Sequence, residues 1–221
     1  MIIYALVEGP SEDTLLTAWI PRLLKDHTVQ VYPHQGKGKL PSNLSKKPDP
    51  RLRGLLDQLP AKLAAFEKSS SRNEAVLIVV DADDDDPEEL ATAISDVAQK
   101  VAPNVQVVVN IAVEETEAFY LGDLRALKSA YPDADMKTAR KYVPDSICGT
   151  WELFGKIIGD DGGNKVDWAE AMGPRLTTSS AQSRSPSFKA LCTTLRSLSP
   201  KPAPKKKRRR FRHTARTMKQ R

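Results

Sequence analysis

Acidic side chains follow three short apolar segments of this 221-residue chain, at points where β-strands are expected to end. Glu8 follows the run IIYALV in the sequence VEGPSEDTLL, and Asp81 and Asp83 follow VLIVV in VVDADDDDPEE. Glu114 and Glu117 follow a third run, VQVVVNIAV, in VEETEAF. One acidic residue after a strand is ordinary, but three such places in a small domain indicate a shared site.

Carboxylates that are brought together repel each other. Two unit charges about 4 Å apart cost about 4 kcal/mol at an effective dielectric of 20. Either some of the carboxyl groups keep their protons, or a cation neutralises them. Carboxylates without a convergent His or Cys suit a hard cation that takes oxygen ligands, so Mg²⁺ or Mn²⁺ is the expected ion. Such an ion can bind phosphate oxygens, orient an attacking water and stabilise an oxyanion leaving group.

Part of the acidic sequence has a purely structural alternative. In DDDDPEE, Asp86 can cap the next helix, and Glu88 and Glu89 can face the positive end of its dipole. This leaves Asp81 and Asp83 unexplained, because both precede the cap. Since they are two residues apart, their side chains point the same way if the backbone is extended. We therefore expect this pair to contribute to the cation site.

The acidic residues after the third apolar run stay open to both interpretations. Glu114, Glu115 and Glu117 open a helix, where carboxylates interact favourably with the helix dipole. One of them can be functional while the others only stabilise the helix start. Glu8 by itself would be an ordinary turn residue, and its functional interpretation depends on the acidic residues that follow the other strands.

Three lysines are candidates for contact with phosphate near this site. Lys37 and Lys39 lie in the glycine turn GKGKL, which follows the second strand and so lies at the same edge of the sheet. They can hold a phosphate backbone, and the alternative is an exposed turn without a ligand. Lys165, in GGNKVDWAE, can reach the site from the C-terminal part and act as a catalytic residue that stabilises charge on the phosphate.

The net charge of +6 comes from the last part of the sequence. Residues 201–221 hold 11 of the 34 Lys and Arg and no acidic residue, so the remaining 23 basic residues face 28 acidic ones. An acidic body does not attract nucleic acid by its net charge, whereas this segment can bind phosphates without reading their sequence. Its candidate nucleic-acid contacts are Lys205, Lys206, Lys207, Arg208, Arg209 and Arg210.

The acidic residues need elements that end at one edge of a sheet. Continuous apolar runs alternate with segments of helical periodicity in the order β-α-β-α-β-α-β-α. The pattern predicts an α/β fold with a central parallel sheet of about four strands, helices on both faces and a small helical C-terminal lobe. Ligands of such sheets bind beyond the carboxyl ends of the strands. We expect Ser11 to cap the first helix.

The predicted organisation has three parts: an α/β domain at 1–132, a helical lobe packed on it at 133–199, and a disordered basic tail at 200–221. Forty per cent apolar residues suffice for a globular core, and no apolar run reaches the roughly 18 residues of a membrane span. Cys148 and Cys192 lack motif spacing, which excludes a thiolate zinc site and fits a reduced, cytoplasmic protein.

At these residues the chain resembles the Toprim domains of topoisomerases, primases, old-type nucleases and small ribonucleases. Those domains have a glutamate after the first strand and an Asp-x-Asp pair after a later one. The segments VEGPSEDTLL, HQGKGKL, VVDADDDD, VEETEAFYLGD and KVDWAE together resemble a bacterial Toprim-like family called domain of unknown function 4276. The resemblance covers about residues 1–198.

The resemblance implies a Toprim-like (Rossmann-like) fold and a role for each matching residue. Glu8 would be a general acid/base or metal ligand, Asp81 and Asp83 the metal-binding pair, and Glu114 or Glu117 the acidic position after the fourth strand. It also implies a nuclease of phage defence systems that works beside a separately encoded ATPase. The run DADDDD holds more acidic residues than this motif usually does, so which of them bind metal stays open.

Two functions follow from these observations. The first is a Mg²⁺- or Mn²⁺-dependent nuclease, in which the acidic residues hold the ion and an activated water attacks phosphorus. The second is a non-catalytic Toprim-like module that binds nucleic acid or passes it to the ATPase. The second hypothesis is motivated by the absence of any assignable nucleophilic side chain, such as a positioned tyrosine. The sequence distinguishes neither DNA from RNA nor endonuclease from exonuclease action.

Overall fold

The computed structural model describes residues 1–69, 71–146 and 149–198. Within them the chain forms four β-strands, nine α-helices and one short 3₁₀ helix. These elements are β1 (Ile2–Val7), α1 (Pro10–Leu23), β2 (Thr28–Pro33), α2 (Leu55–Ser69), β3 (Glu74–Asp81), α3 (Pro87–Val101), β4 (Val107–Ala112), α4 (Glu117–Gly122), α5 (Leu124–Ala130), α6 (Met136–Lys141), α7 (Thr150–Ile158), α8 (Lys165–Met172), the 3₁₀ turn Ser180–Gln182 and α9 (Pro186–Ser197).

The four strands form one parallel sheet in the order β2-β1-β3-β4. In the registers, Ile2 is paired with Thr28 on β2 and with Glu74 on β3, and Asp81 is paired with Ala112 on β4. Because all strands run the same way, their carboxyl ends share one edge. The predicted α/β class, the number of strands and the helical C-terminal part are confirmed.

Helices cover both faces of the sheet because alternate residues of each strand point to opposite sides. On one face Leu6, Val76 and Ile78 pack with helices α2 and α3. On the other face the neighbouring strand residues, among them Ala5 and Leu77, pack with α1 and the C-terminal helices. Both faces of the central strands are therefore buried, which explains their unbroken apolar sequences.

The segment predicted as a C-terminal lobe shares the larger of these two cores. The rings of Trp19 on α1 and Phe188 on α9 lie 4.9 Å apart, and those of Phe119 and Phe188 lie 5.3 Å apart. The Trp168 ring of α8 is equally close to Phe154, at 5.1 Å. The C-terminal helices thus rest on the sheet through aromatic contacts, and this packing brings the start of α8 to the sheet edge.

The starts of α1 and α3 can be compared with the helix caps predicted from the sequence. Asp86 caps α3 as predicted, since its carboxylate accepts hydrogen bonds from the backbone N–H groups of Glu88 and Glu89. The prediction that Ser11 caps α1 is wrong. The helix already begins at Pro10, so Ser11 lies inside it, and its hydroxyl donates to Glu12 Oε1 at 2.8 Å.

Two further expectations from the sequence have a definite outcome. The single helix expected after β4 is two helices, because Asp123 interrupts it and caps α5 through the N–H groups of Arg125 and Ala126. No helix in the described part of the chain is long and apolar enough to cross a membrane. The predicted tail at 200–221, with its candidate contacts at 205 to 210, and Cys148 lie outside the described residues.

Candidate functional site

The acidic residues that follow β1 and end β3 meet where the order of the strands changes direction: β2 is added on one side of β1, and β3 on the other. From β1 the chain passes to β2 on one side, and α2 then carries it back across to β3 on the other side. In parallel sheets the crevice at such a switch point is the usual ligand site. Glu8 follows β1 and Asp81 ends β3. Glu8 Oε1 accepts a hydrogen bond from the Asp81 backbone N–H at 2.9 Å.

Asp81 is a buried carboxyl group at the end of β3 in this crevice. Its Oδ1 atom is buried and has no hydrogen-bond partner among the described residues. Burial raises its pKa well above the ordinary range, and the charges of Glu12, Glu8 and Glu117 raise it further. Burying a carboxylate without a partner is costly, so this environment favours the protonated form unless a cation is present.

Glu8 is held in a similar environment. Burial raises its pKa to about 7, and the hydrogen bond from the Asp81 N–H acts in the opposite direction. The charges of Asp83 and Glu12 raise the pKa further, and that of Lys37 lowers it. A carboxyl group with this pKa changes its protonation state close to neutral pH.

Glu12 belongs to this crevice, and the acidic pattern of the sequence does not single it out. Although it lies in the first turn of α1, its side chain is buried, and Oε1 accepts hydrogen bonds from Ser11 Oγ and, at 3.3 Å, from Thr116 Oγ1. A glutamate in a first helical turn is readily explained by the helix dipole. The sequence did contain one indication of its position. Glu12 is only four residues from Glu8, and α1 starts at the edge of the sheet where β1 ends, so the two side chains begin close together.

Glu117 supplies a further buried carboxyl group from the start of α4. Only 1% of the residue is exposed, and its Oε2 atom has no hydrogen-bond partner in the part of the chain that the structure describes. The nearest cation is Lys165 Nζ, which lies 3.7 Å from Oε2. Burial raises the pKa of Glu117 to about 7 although the charge of Lys165 lowers it.

Lys165 is the predicted catalytic lysine, and the packing of α8 places its ammonium group at the acidic edge. Its Nζ atom donates to Glu115 Oε1 at 3.2 Å and lies 5.5 Å from the centre of the Trp151 ring. Burial lowers its pKa, but the charges of Glu117 and Glu115 outweigh this effect and raise it. Lys165 is therefore a permanent positive charge beside the carboxyl groups.

Glu114 lies among different neighbours from the other predicted ligands. Its backbone has a positive φ of 71°, and its carboxylate accepts a hydrogen bond from the Thr150 hydroxyl at the start of α7. Burial raises its pKa, and the charges that add to this effect are those of Asp145 and Glu115. Of the two glutamates predicted after β4, the structure places Glu117 with Asp81, and places Glu114 against α7.

Asp83 does not point in the same direction as Asp81. The extended backbone ends at Asp81, and Asp83 adopts a positive φ of 50°, so the expectation of parallel side chains is wrong. Its side chain is 52% exposed, and its Oδ2 atom lies 3.1 Å from Lys37 Nζ. Asp83 remains close enough to raise the pKa of Glu8. It therefore lies at the outer rim of the crevice.

Lys37 and Lys39, the predicted phosphate contacts, lie beside this rim. Lys37 Nζ donates to the Ala82 carbonyl at 2.7 Å and lies 2.6 Å from Asp85 Oδ2, in addition to its contact with Asp83. Lys37 is thus already paired with carboxylates. Lys39 is exposed, and its backbone N–H donates to Asp57 Oδ1.

The carboxyl oxygen atoms of the crevice are the kind of ligand that a hard cation prefers. Asp81 Oδ1 and Glu117 Oε2 are buried oxygen atoms without hydrogen-bond donors, and Glu8 and Glu12 add carboxyl groups beside them. Among residues 1–69, 71–146 and 149–198, however, no three His, Cys, Asp or Glu side chains are already grouped as a metal site. Binding of Mg²⁺ or Mn²⁺ would therefore require these side chains to turn towards the ion.

Comparison with known protein families matches residues 7–196 to the family described as Domain of unknown function (DUF4276). The matched range includes the whole acidic crevice, the loop with Lys37 and Lys39, and Lys165. No curated protein and no solved structure matches the chain.

Proposed function

The chain belongs to the family described as Domain of unknown function (DUF4276), and from its acidic crevice we propose that it is a phosphodiesterase that depends on Mg²⁺ or Mn²⁺. Its substrate would be nucleic acid, and the enzyme would be a nuclease of Toprim type. The observation that carries this proposal is the group of three buried carboxyl groups at the switch point, Glu12, Asp81 and Glu117, with the half-buried Glu8 beside them.

The electrostatics of this group support a functional role. Burial and mutual repulsion raise the pKa values of Glu8, Asp81 and Glu117. The charge of Lys165 acts in the opposite direction on Asp81 and Glu117, and that of Lys37 does so on Glu8. Perturbed carboxyl groups in a cleft are common where catalysis or cation binding requires them. A purely structural crevice would be more stable with apolar residues in these positions.

Each residue has a role that its position allows. Asp81, Glu12 and Glu117 would hold the cation, whose charge would neutralise phosphate oxygens and lower the pKa of a bound water. Glu8 would either add a ligand or take up the proton of the attacking water, because a pKa of about 7 suits proton transfer at neutral pH. Lys165 would stabilise negative charge on the phosphate.

The roles of residues outside the crevice and of a partner protein are also proposals. Asp83 would adjust the site from its rim and Glu114 from its place against α7, and Lys39 and the basic segment at 205 to 210 would attract the phosphate backbone. A separately encoded ATPase and a role in phage defence follow only from the Toprim-like resemblance. They predict that the purified chain binds an ATPase encoded beside it.

A second function is favoured by one specific observation. Lys165 already neutralises part of the acidic charge, through Glu115 at 3.2 Å and Glu117 at 3.7 Å, and no complete group of metal ligands is assembled in the described residues. A module that binds nucleic acid without cutting it could retain such a crevice. This alternative predicts no cleavage by the isolated chain with either ion.

The decisive experiment compares cleavage of labelled single-stranded and duplex DNA and RNA in Mg²⁺, Mn²⁺ and EDTA. We expect the parent protein to cleave at least one of these substrates with Mg²⁺ or Mn²⁺ and none in EDTA. Glu12→Gln should reduce the rate at least about 100-fold, because removing one group that stabilises transition-state charge costs about 10² to 10³.

Asp13→Asn is the matched control, since Asp13 follows Glu12 on the same helix and bonds to Thr17 outside the crevice. It should cleave at the parental rate. Cleavage by Glu12→Gln at the rate of Asp13→Asn would remove Glu12 from the mechanism. Absence of any metal-dependent cleavage by the parent would favour the binding module.

A further inference from the structure

The segment between β2 and α2 forms a basic loop that leaves the sheet at the edge of the acidic crevice. It comprises residues 37–54, with the sequence KGKLPSNLSKKPDPRLRG. Six of these residues are Lys or Arg and one is acidic. The loop therefore places a strongly positive surface directly beside the carboxyl groups.

Backbone hydrogen bonds fix the two ends of this basic loop to each other and to the crevice. The Gly36 N–H donates to the Glu8 carbonyl at 2.9 Å, and the Leu55 N–H donates to the Gly36 carbonyl at 2.8 Å. Gly38 and Gly54 meet so closely that a Cβ atom added to Gly54 would lie 2.5 Å from the Gly38 Cα. The loop is thus anchored at the residue that follows β1.

The basic loop encloses a cavity of about 710 Å³ against the side of α2. Its walls include Pro48, Pro50 and Leu52, and the Leu52 side chain is exposed. A second cavity, of about 460 Å³, shares Lys39 and Leu40 with the first and extends to Asp83 at the rim of the acidic crevice. The two cavities therefore adjoin, and the second reaches the rim of the acidic crevice.

The positive charge of the larger cavity is available for a ligand. The carboxylates in its lining are engaged, since Asp49 pairs with Arg51 at 2.8 Å and Asp57 accepts from the N–H groups of Lys39 and Gly54. Of the remaining cations, Lys39 and the exposed pair at 46 and 47 form no ion pair within the described residues. Lys46 acts only at longer range, where its charge helps to lower the pKa of Asp49.

We propose that this cavity binds an unpaired nucleic-acid strand and directs it towards the acidic crevice. Lys39, Lys46 and Lys47 would contact successive phosphates, and a base would enter between the prolines and Leu52. The proposal rests on the proposed function for the identity of the polymer. It goes further by specifying single-stranded nucleic acid as the ligand and the cavity of the basic loop as the surface that selects it.

The shape of the cavity favours an unpaired strand over a duplex. A duplex presents phosphates on a convex surface and keeps its bases stacked inside, so it cannot fill a concave pocket with apolar walls. An unpaired strand can turn a base outward, and single-strand binding commonly combines a basic groove with contacts to the base faces. The prolines and Leu52 would supply those contacts in place of aromatic rings.

The test is equilibrium binding of a short fluorescein-labelled oligothymidylate, measured by anisotropy in EDTA at several salt concentrations. We expect Lys46→Gln/Lys47→Gln to weaken binding by about tenfold or more. Each lost phosphate contact on a single strand should reduce the slope of log K against log salt by about 0.7, so the double variant should lose about 1.4. Lys68→Gln/Lys100→Gln, an exposed pair with the same charge change, should keep the parental slope.

A second variant tests the proposed contact between Leu52 and a base separately from the phosphate contacts of the lysines. Leu52→Ser should weaken binding of the oligothymidylate several-fold and leave binding of a duplex of the same length unchanged. Its thermal melting temperature should equal that of the parent, because Leu52 is 53% exposed. Competition with heparin serves as the control for a non-specific polyanion site, and heparin should displace the duplex more readily than the single strand.

The proposal is overturned if the 46/47 variant binds the oligothymidylate as tightly as the 68/100 variant, or if the 46/47 substitutions weaken duplex binding as much as they weaken single-strand binding. Because the measurement involves no turnover, it is independent of whether the crevice is catalytic. Loss of binding without any cleavage activity would support the loop and reject the nuclease. Metal-dependent cleavage by the parent, together with unchanged binding by the 46/47 variant, would support the nuclease and reject the loop.

Discussion

The carboxyl edge of the sheet holds two groups of acidic residues that differ in almost every physical respect. Asp81 is buried and has an oxygen without a hydrogen-bond partner. Four residues later, the side chain of Asp85 is 59% exposed and lies 2.6 Å from Lys37 Nζ. Asp86 uses its carboxylate to cap α3. Nearby carboxylates of the same sequence run therefore have opposite environments.

The comparison shows that burial, and not the number of acidic residues, distinguishes a candidate site from a solvated helix start. Exposed carboxylates near a helix N-terminus gain a few tenths of a kcal/mol and cost little. Buried carboxyl groups destabilise the fold unless they are protonated or neutralised. The crevice keeps such groups on α1, β3 and α4, and it is this retained cost that indicates function.

The largest expected difference between the two groups is in activity. Asp81→Asn preserves the volume of the side chain but removes its ability to become negative, so we expect metal-dependent cleavage to fall at least about 100-fold. Asp85→Asn should change the rate by less than about twofold, because exposed ion pairs such as its contact with Lys37 contribute little. Single-turnover cleavage assays at saturating Mn²⁺ provide the measurement.

Folding controls decide how this result is interpreted. Asp81→Asn should unfold at the parental temperature or above it, since it removes a buried group that repels Glu8, Glu12 and Glu117. Equal activities of Asp81→Asn and Asp85→Asn would contradict the conclusion that the buried group and not the exposed group is functional. A loss of activity that is accompanied by unfolding would have to be examined again with Glu8→Gln.

The next largest difference concerns the dependence of stability on pH. The pKa values of Glu8 and Glu117 are raised from 4.5 to about 7, so between these values the native state binds more protons than the unfolded state. The free energy of unfolding must therefore fall as pH rises through this window. The fall is about 3 kcal/mol for each group at 1.36 kcal/mol per pKa unit.

Urea unfolding in EDTA at several values between pH 4.5 and 7.5 measures this effect. Glu117→Gln should make the decline shallower, because one of the carboxyl groups whose pKa is raised in the native state is lost. Asp85→Asn should leave the decline as it is in the parent. A stability that rises over this range, or a Glu117→Gln variant with the parental slope, would contradict the raised pKa values.

The sequence predicts the fold well because continuous apolar strands and amphipathic helices are local patterns. The same patterns suffice to place Glu8 and Asp81 at one edge of the sheet, since each residue follows a strand that must run parallel to the other. The direction of Asp83 was not predictable, because its positive φ depends on how the chain leaves β3.

The role of Glu12 was missed for a related reason. A glutamate in a first helical turn has a sufficient local explanation in the helix dipole. Its burial is a tertiary property, which arises because Thr116 and the start of α4 pack over α1. Lys165 could be named as a candidate from its segment GGNKVDWAE, but its contact with Glu115 depends on how α8 packs against α1, which no local pattern specifies.

The smallest predicted effect tests the exposed group by itself. Asp86 accepts hydrogen bonds of 2.9 Å from both Glu88 N–H and Glu89 N–H, so Asp86→Ala should lower the free energy of unfolding by about 1 kcal/mol. Asp86→Ser should restore most of this loss, because serine caps helices nearly as well. Both variants should cleave at the parental rate, as urea unfolding and the cleavage assay can establish together. If Asp86→Ala instead lost activity as Asp81→Asn is expected to, the acidic run would belong to the site, and burial would no longer separate the two groups.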